Sequence, residues 1–216
     1  QRQMCIRDRY NVIKYNDLQA TQADAWYYPY LFRATNLGII GGDTDEYENG
    51  VLIPGDGTRL YFNPEKPVSR SEFLKMVIET AAVSNEEKQT AVREIEATDP
   101  ALYQAIDTHW AKEYLCFGVN RGIISSSQAG QPDENLMRTE AAYMVHAMFL
   151  GNRGSVQAAS NIYEYTKEIS CERNTYWKEK TAFEDQTMVQ FRWNEEAIYQ
   201  LYMNNVMEGS DDGYFH

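Results

Sequence analysis

The chain has 216 residues, 43% hydrophobic, 13% aromatic and 24% charged. That balance supplies a core and excludes coiled coil, collagen and simple disorder. Twenty Lys and Arg against 32 Asp and Glu leave a net charge of −12, which repels nucleic-acid phosphate, so any anionic partner must be held by a few local cations. No run approaches the roughly 18 apolar residues that cross a bilayer, so neither nucleic acid nor membrane insertion is expected.

Residues 1–10, opening QRQMCIRDR, have no periodicity, carry no apolar signal core and read as a non-native leader of translated sequencing adapter. Cys5, Cys116 and Cys171 are an odd set without a C-x-x-C pair, which supports neither a disulfide framework nor a zinc site.

From there the chain repeats itself. Trp26 stands twelve residues before Gly38-Ile39-Ile40, Trp110 twelve before Gly122-Ile123-Ile124, and Trp193 twelve before Asn205-Val206-Met207. The tryptophans are spaced by 84 and 83 residues, a small helical module with variable linkers. Behind each, apolar or small residues recur along one helical face: Tyr30, Leu31 and Ala34; Tyr114, Leu115, Gly118 and Val119; Ala197, Ile198, Leu201 and Tyr202. A stripe of this spacing predicts core packing, the tryptophans included. Gly38, Gly122 and Asn205 suit the left-handed residue that closes a helix.

After the first helix the segment GDTDEYENGVLIPGDG carries turn signals at Asn49-Gly50, Pro54-Gly55 and Asp56-Gly57 and predicts a short hairpin or loop excursion. Asp43, Asp45 and Asn49 hint at a calcium loop, but Glu48 and Pro54 occupy the positions needing Gly and Glu, so no metal or other cofactor is expected. Ser69 and Glu72 are spaced as a capping box opening a helix with the stripe Phe73, Met76, Val77 and Ala81. In the second copy Met137 stands in place of the capping hydroxyl before Arg138-Thr139-Glu140, with the stripe Ala141, Met144, Val145 and Phe149. That start should be weaker by about 1 kcal/mol. Linker helices are predicted over 84–96, capped by Ser84, and over 156–169. The third copy reaches His216 without a second helix, which reads as a fragment cut at both ends and should leave Leu201 and Tyr202 exposed.

At these residues the sequence resembles the S-layer homology domain. An aromatic-x-Asp opening appears as Tyr15-Asn16-Asp17 and Phe183-Glu184-Asp185, with Asp99 alone in the second copy. Phe62-Asn63-Pro64 stands for the family's Phe-x-Pro, more loosely Gln131-Pro132 in the second copy. Ser69-Arg70-Ser71-Glu72 and Met137-Arg138-Thr139-Glu140 stand for its Thr-Arg-Ala-Glu. The resemblance implies an all-α fold in which three copies form one pseudo-threefold bundle with short loop or hairpin excursions. The expected division is repeat one at 11–83, a linker helix at 84–96, repeat two at 97–151, a linker helix and loop at 152–180, and a truncated repeat three at 181–216.

The function implied is non-catalytic anchoring of an exported protein to the bacterial cell wall. The chain would be a monomeric module of a larger, extracellular protein whose export signal lies outside this sequence. Its partner would be a pyruvylated secondary cell-wall polysaccharide, bound in grooves between copies. The resemblance assigns ligand contacts to Arg70, Arg138, Asp17, Asp185, Trp110, Trp193, Gly41 and Gly42, with Ser69, Glu72 and Glu140 as cap support. An Arg fork and helix-start amides suit a pyruvate carboxylate, and aromatic rings suit a sugar face. Alone, an arginine at a helix start is a solvated charge. The rival readings are an exported wall-glycan enzyme with its catalytic domain elsewhere, and a peptidoglycan- or protein-interaction module. His109, His146 and His216 are scattered and no G-x-S-x-G or H-E-x-x-H occurs.

Overall fold

The structure is a computed structural model that describes residues 15–18, 26–151, 197–198, 201–202 and 206–209. The expected helix over 156–169, Phe183, Asp185 and Trp193 lie outside the described residues. Among the described residues the protein is predominantly α-helical with one two-stranded sheet. It divides into two compact units, Gln1–Pro67 and Val68–His216.

In the first unit, helix α1 spans Tyr28–Asn36 and strands β1 (Glu46–Glu48) and β2 (Val51–Ile53) pair antiparallel. Pro29 sits in the first turn of α1, where its fixed φ and missing N–H are tolerated. The helix therefore begins two residues after Trp26, which lies in the preceding turn and is 81% exposed. The expectation that Trp26 packs in the core is thus corrected. The buried residues are Tyr28 and Leu31, and Leu31 clusters with Tyr15 and Leu18. The hairpin forms where the sequence predicted it: Asn49 (φ 52°) and Gly50 (φ 83°) take the paired left-handed conformations of a two-residue type I′ turn.

In the second unit, α2 (Arg70–Thr80), α3 (Asn85–Thr98), α4 (Pro100–Ala105), α5 (Lys112–Asn120), α6 (Ser126–Ala129) and α7 (Arg138–His146) follow in order. A π turn, Ala147–Gly151, continues α7. The core is built from Leu74 and Ile78 of α2, Ala91 and Ile95 of α3, Leu115 and Cys116 of α5, Ile123, Ile124 and Met144. Each large side chain buried there contributes about 1.5–3 kcal/mol. Gly118 lets the helices approach closely, since a Cβ there would lie 3.0 Å from Leu74 Cδ2. Burial pushes the Cys116 thiol up to about 11, which keeps it protonated and inert.

The predicted stripes hold at Val77, Ala141 and Met144, which are buried, and miss elsewhere by part of a turn. On α2 the buried line runs through Ser71, Leu74, Val77 and Ile78, while Phe73, Met76 and Ala81 are half-buried; the first turn of the helix faces the loop at 131–134, and this fixes its rotation. After α7 Phe149 is exposed because the helix widens into the π turn at Ala147, which shifts the following side chains around the axis.

One hydrogen-bond pattern recurs at three places along the chain. Ile39 N–H donates to Ala34 O at 2.9 Å, Ile123 to Gly118 O at 2.8 Å and Val206 to Leu201 O at 2.9 Å, each the six-to-one bond of a Schellman motif. Gly38 and Gly122 carry it at φ 74° and 67°. Leu201 is buried, 1% exposed, in a cluster with Ala142 and Ile198, with Tyr202 packed against it. The expected exposed surface there is corrected: the α7 residue Ala142 covers Leu201.

Candidate functional site

The start of α2 shows how the sequence places Arg70. Ser69 is extended, its hydroxyl accepts Glu72 N–H at 3.3 Å, and Glu72 Oε2 accepts Ser69 N–H at 2.8 Å. This is the predicted capping box. The next two free amides do not face solvent: Arg70 N–H donates to Glu134 O and Ser71 N–H to Pro132 O, both at 2.9 Å. The donors a helix start offers an anion are therefore filled by the 131–134 loop.

The Arg70 side chain follows the same route, and the residue is 5% exposed rather than a solvated fork. Its Nη1 donates to Gln128 O at 3.2 Å and Gln131 O at 2.5 Å. Its Nη2 reaches Glu134 Oε2 at 3.3 Å and Glu140 Oε1 at 3.1 Å. Glu140, also buried, accepts Gln128 Nε2 at 2.9 Å and Met137 N–H at 3.3 Å. Glu140 is thus a cap and the counter-ion of a buried arginine together. Among the described residues, Arg70 Nε is the buried side-chain polar atom with no hydrogen-bond partner.

Arg138 opens α7 in the corresponding place but stays exposed, and its Nη2 donates to the carbonyl of Glu208. Both arginines therefore reach backbone carbonyls, Gln128 and Gln131 for Arg70 and Glu208 for Arg138.

The remaining expected residues do different work. Asp17 accepts Phe62 N–H at 2.8 Å and Asn63 N–H at 2.6 Å, which holds Asn63 in its left-handed conformation at φ 54°. Asp99 instead caps α4 through Leu102 N–H at 3.1 Å. Gly42 has φ 85°, and a Cβ would come within 2.5 Å of Tyr15 Cε1; Gly41 has open space around it. Lys66 pairs with Asp43 at 2.9 Å. Burial tends to raise the Asp43 carboxyl, but the Lys66 and backbone hydrogen bonds together hold it below the usual carboxylate range.

Trp110, like Trp26, precedes its helix and is 56% exposed. Its neighbour His109, one of three histidines scattered along the sequence, meets Asp133 Oδ1 through Nε2 at 3.1 Å. A 260 Å³ cavity lined by Ala82, Phe117, Ile123 and Met148, with Glu87 and Arg121 on its wall, holds none of the expected site residues. Among the described residues no group of His, Cys, Asp and Glu is arranged to hold a metal, and no helix is long and apolar enough to cross a membrane.

Residues 15–74 match the family model of the S-layer homology domain. The match covers 60 of the 216 residues, and that family is one of cell-surface anchoring domains. Among curated proteins it is similar to an endoglucanase of Bacillus sp. (strain KSM-635), 22% identical over 208 residues, which are 95% of this chain. The chain spans 17% of that relative's length. No solved structure matches it.

Proposed function

We propose that the chain tethers an exported protein to the bacterial surface by binding a pyruvylated secondary cell-wall polysaccharide. The observation that carries this reading is the exposure of Trp26 and Trp110. Two large aromatics left in water in the turns before their helices offer flat apolar faces to sugar rings, which stack on such surfaces. Arg138 supplies the exposed guanidinium at a helix start, where the dipole also favours an anion. Asp185, Trp193, Gly41 and Gly42 belong to the same proposal. The likeness to an endoglucanase favours one further reading, in which the tethered protein acts on wall glycan and its catalytic domain lies outside this sequence.

Calorimetric titration with pyruvylated wall glycan tests the assignment. Each charge-assisted contact is worth about 1.5–3 kcal/mol, so Arg138→Ala should weaken binding about tenfold to a hundredfold. Arg138→Lys should recover part, because an ammonium lacks the bidentate fork. Unchanged affinity in a folded Arg138→Ala variant would leave the arginine a solvated helix-start charge.

A further inference from the structure

Four of the Arg70 N–H groups are already spent on two carbonyls and two carboxylates, and the fifth, on Nε, is enclosed. A glycan carboxylate could reach this guanidinium only by displacing Glu140 or Glu134. What Arg70 does hold is the loop. Gln131 O is fixed by Arg70 Nη1, Pro132 O by Ser71 N–H and Glu134 O by Arg70 N–H. Asp133 lies between these three tethers, its side chain largely in solvent, and its carboxylate meets His109.

The hydrogen bonds settle the state of that imidazole. His109 Nδ1 accepts Ala111 N–H at 3.1 Å, so it carries no proton, and Nε2 carries the hydrogen donated to Asp133. The backbone is held equally: His109 N–H donates to Ile106 O at 3.0 Å and His109 O accepts Lys112 N–H at 3.1 Å. The ring lies 5.6 Å from that of Trp110, inclined at 34°. In the other copies Ala25 and Arg192 precede the tryptophan, so the imidazole belongs to the second copy alone.

We propose that Arg70 is a positioning residue that acts through the 131–134 loop, Asp133 and His109 to fix the indole of Trp110 as a sugar platform. The part played by Trp110 rests on the function proposed above. In this relay Arg70 never touches the ligand. Its removal loosens the loop, the loop releases Asp133, and the imidazole then loses the bond that sets its plane beside the indole.

The test uses the full chain and three substitutions. His109→Asn keeps an amide oxygen where Nδ1 stands, so the helix start stays satisfied while the link to Asp133 is cut; Asp133→Ala cuts it from the other side; Arg70→Lys keeps a charge beside Glu140. Nitrogen NMR of the imidazole should show the proton on Nε2 in the wild type, and a proton on Nδ1 overturns the relay. In His109→Asn and Asp133→Ala the indole N–H signal of Trp110 should shift and gain mobility. Affinity for pyruvylated glycan should then fall about tenfold, with folding intact by circular dichroism. Arg70→Lys should move the same indole signal, and combining it with Asp133→Ala should weaken binding no further than either change alone. Additive losses would mean that Arg70 contacts the glycan itself, and an unmoved indole in all three variants would end the proposal. A wild type that binds no glycan, with an indole that still follows the variants, would refute the function proposed above and leave the relay standing.

Discussion

Arg70 and Glu140 illustrate how a buried pair is held by what surrounds it. Both are at least nine-tenths buried, 3.1 Å apart, with two loop carbonyls and a glutamine amide completing the cluster. Removing one charge leaves the other stranded, which costs about 3–5 kcal/mol. Arg70→Met should lower the unfolding free energy by about that amount, and adding Glu140→Met should return much of it, as urea titration can measure. An Arg70→Met loss below about 1 kcal/mol would show that the pair is solvated. The sequence named both residues and the capping box around Arg70, because a Ser-x-x-Glu spacing has one local geometry. It could not show the burial, which depends on Gln128, Gln131 and Glu134 arriving from some sixty residues away. His109 and Asp133 were illegible for the same reason: 24 residues separate them.

At the scale of elements, the two Arg-bearing helices differ in their caps. Ser69 closes its box with a hydroxyl, whereas at α7 the Met137 side chain is 59% exposed and Glu140 supplies the return bond. Met137→Ser should therefore stabilise the chain by about 1 kcal/mol, read as a higher melting temperature, since almost no core contact is lost. A lower melting temperature would show that the methionine packs in a way its exposure hides. Helices α2, α3 and α5 also meet at a polar junction. Glu79 Oε1 accepts Tyr114 Oη–H at 2.6 Å and Lys88 Nζ–H at 3.1 Å. The phenol first, and then Lys88 against some desolvation, hold the Glu79 carboxyl below its ordinary 4.5. A carboxyl with a depressed folded-state pKa stabilises the protein above its unfolded value, and that contribution fades as pH falls through the folded value. Glu79→Gln should thus flatten the drop in melting temperature between about pH 6 and about pH 3; an identical slope would remove Glu79 from the acid response. Closing glycines, hairpin turn and caps were readable here because each is set by two to four adjacent residues. Helix rotation was not, and the tryptophan turns escaped the stripe because Pro29 and Ala111 start their helices later than the apolar spacing suggests.

For the whole molecule, net charge −12 and the proposed acidic partner set the problem. Screening confines charge effects to roughly 8–10 Å, so a chain that repels its ligand at long range must hold it by short contacts. Exposed tryptophans and an exposed arginine at a helix start are contacts of that kind, in a chain whose residues 15–74 match a family of cell-surface anchoring domains. Co-sedimentation with purified bacterial walls, before and after chemical extraction of the pyruvylated secondary polymer, tests this most directly. The chain should pellet with intact walls and remain in solution with stripped ones. Equal pelleting with both would place its ligand in peptidoglycan, and no pelleting with either would contradict wall anchoring by this chain.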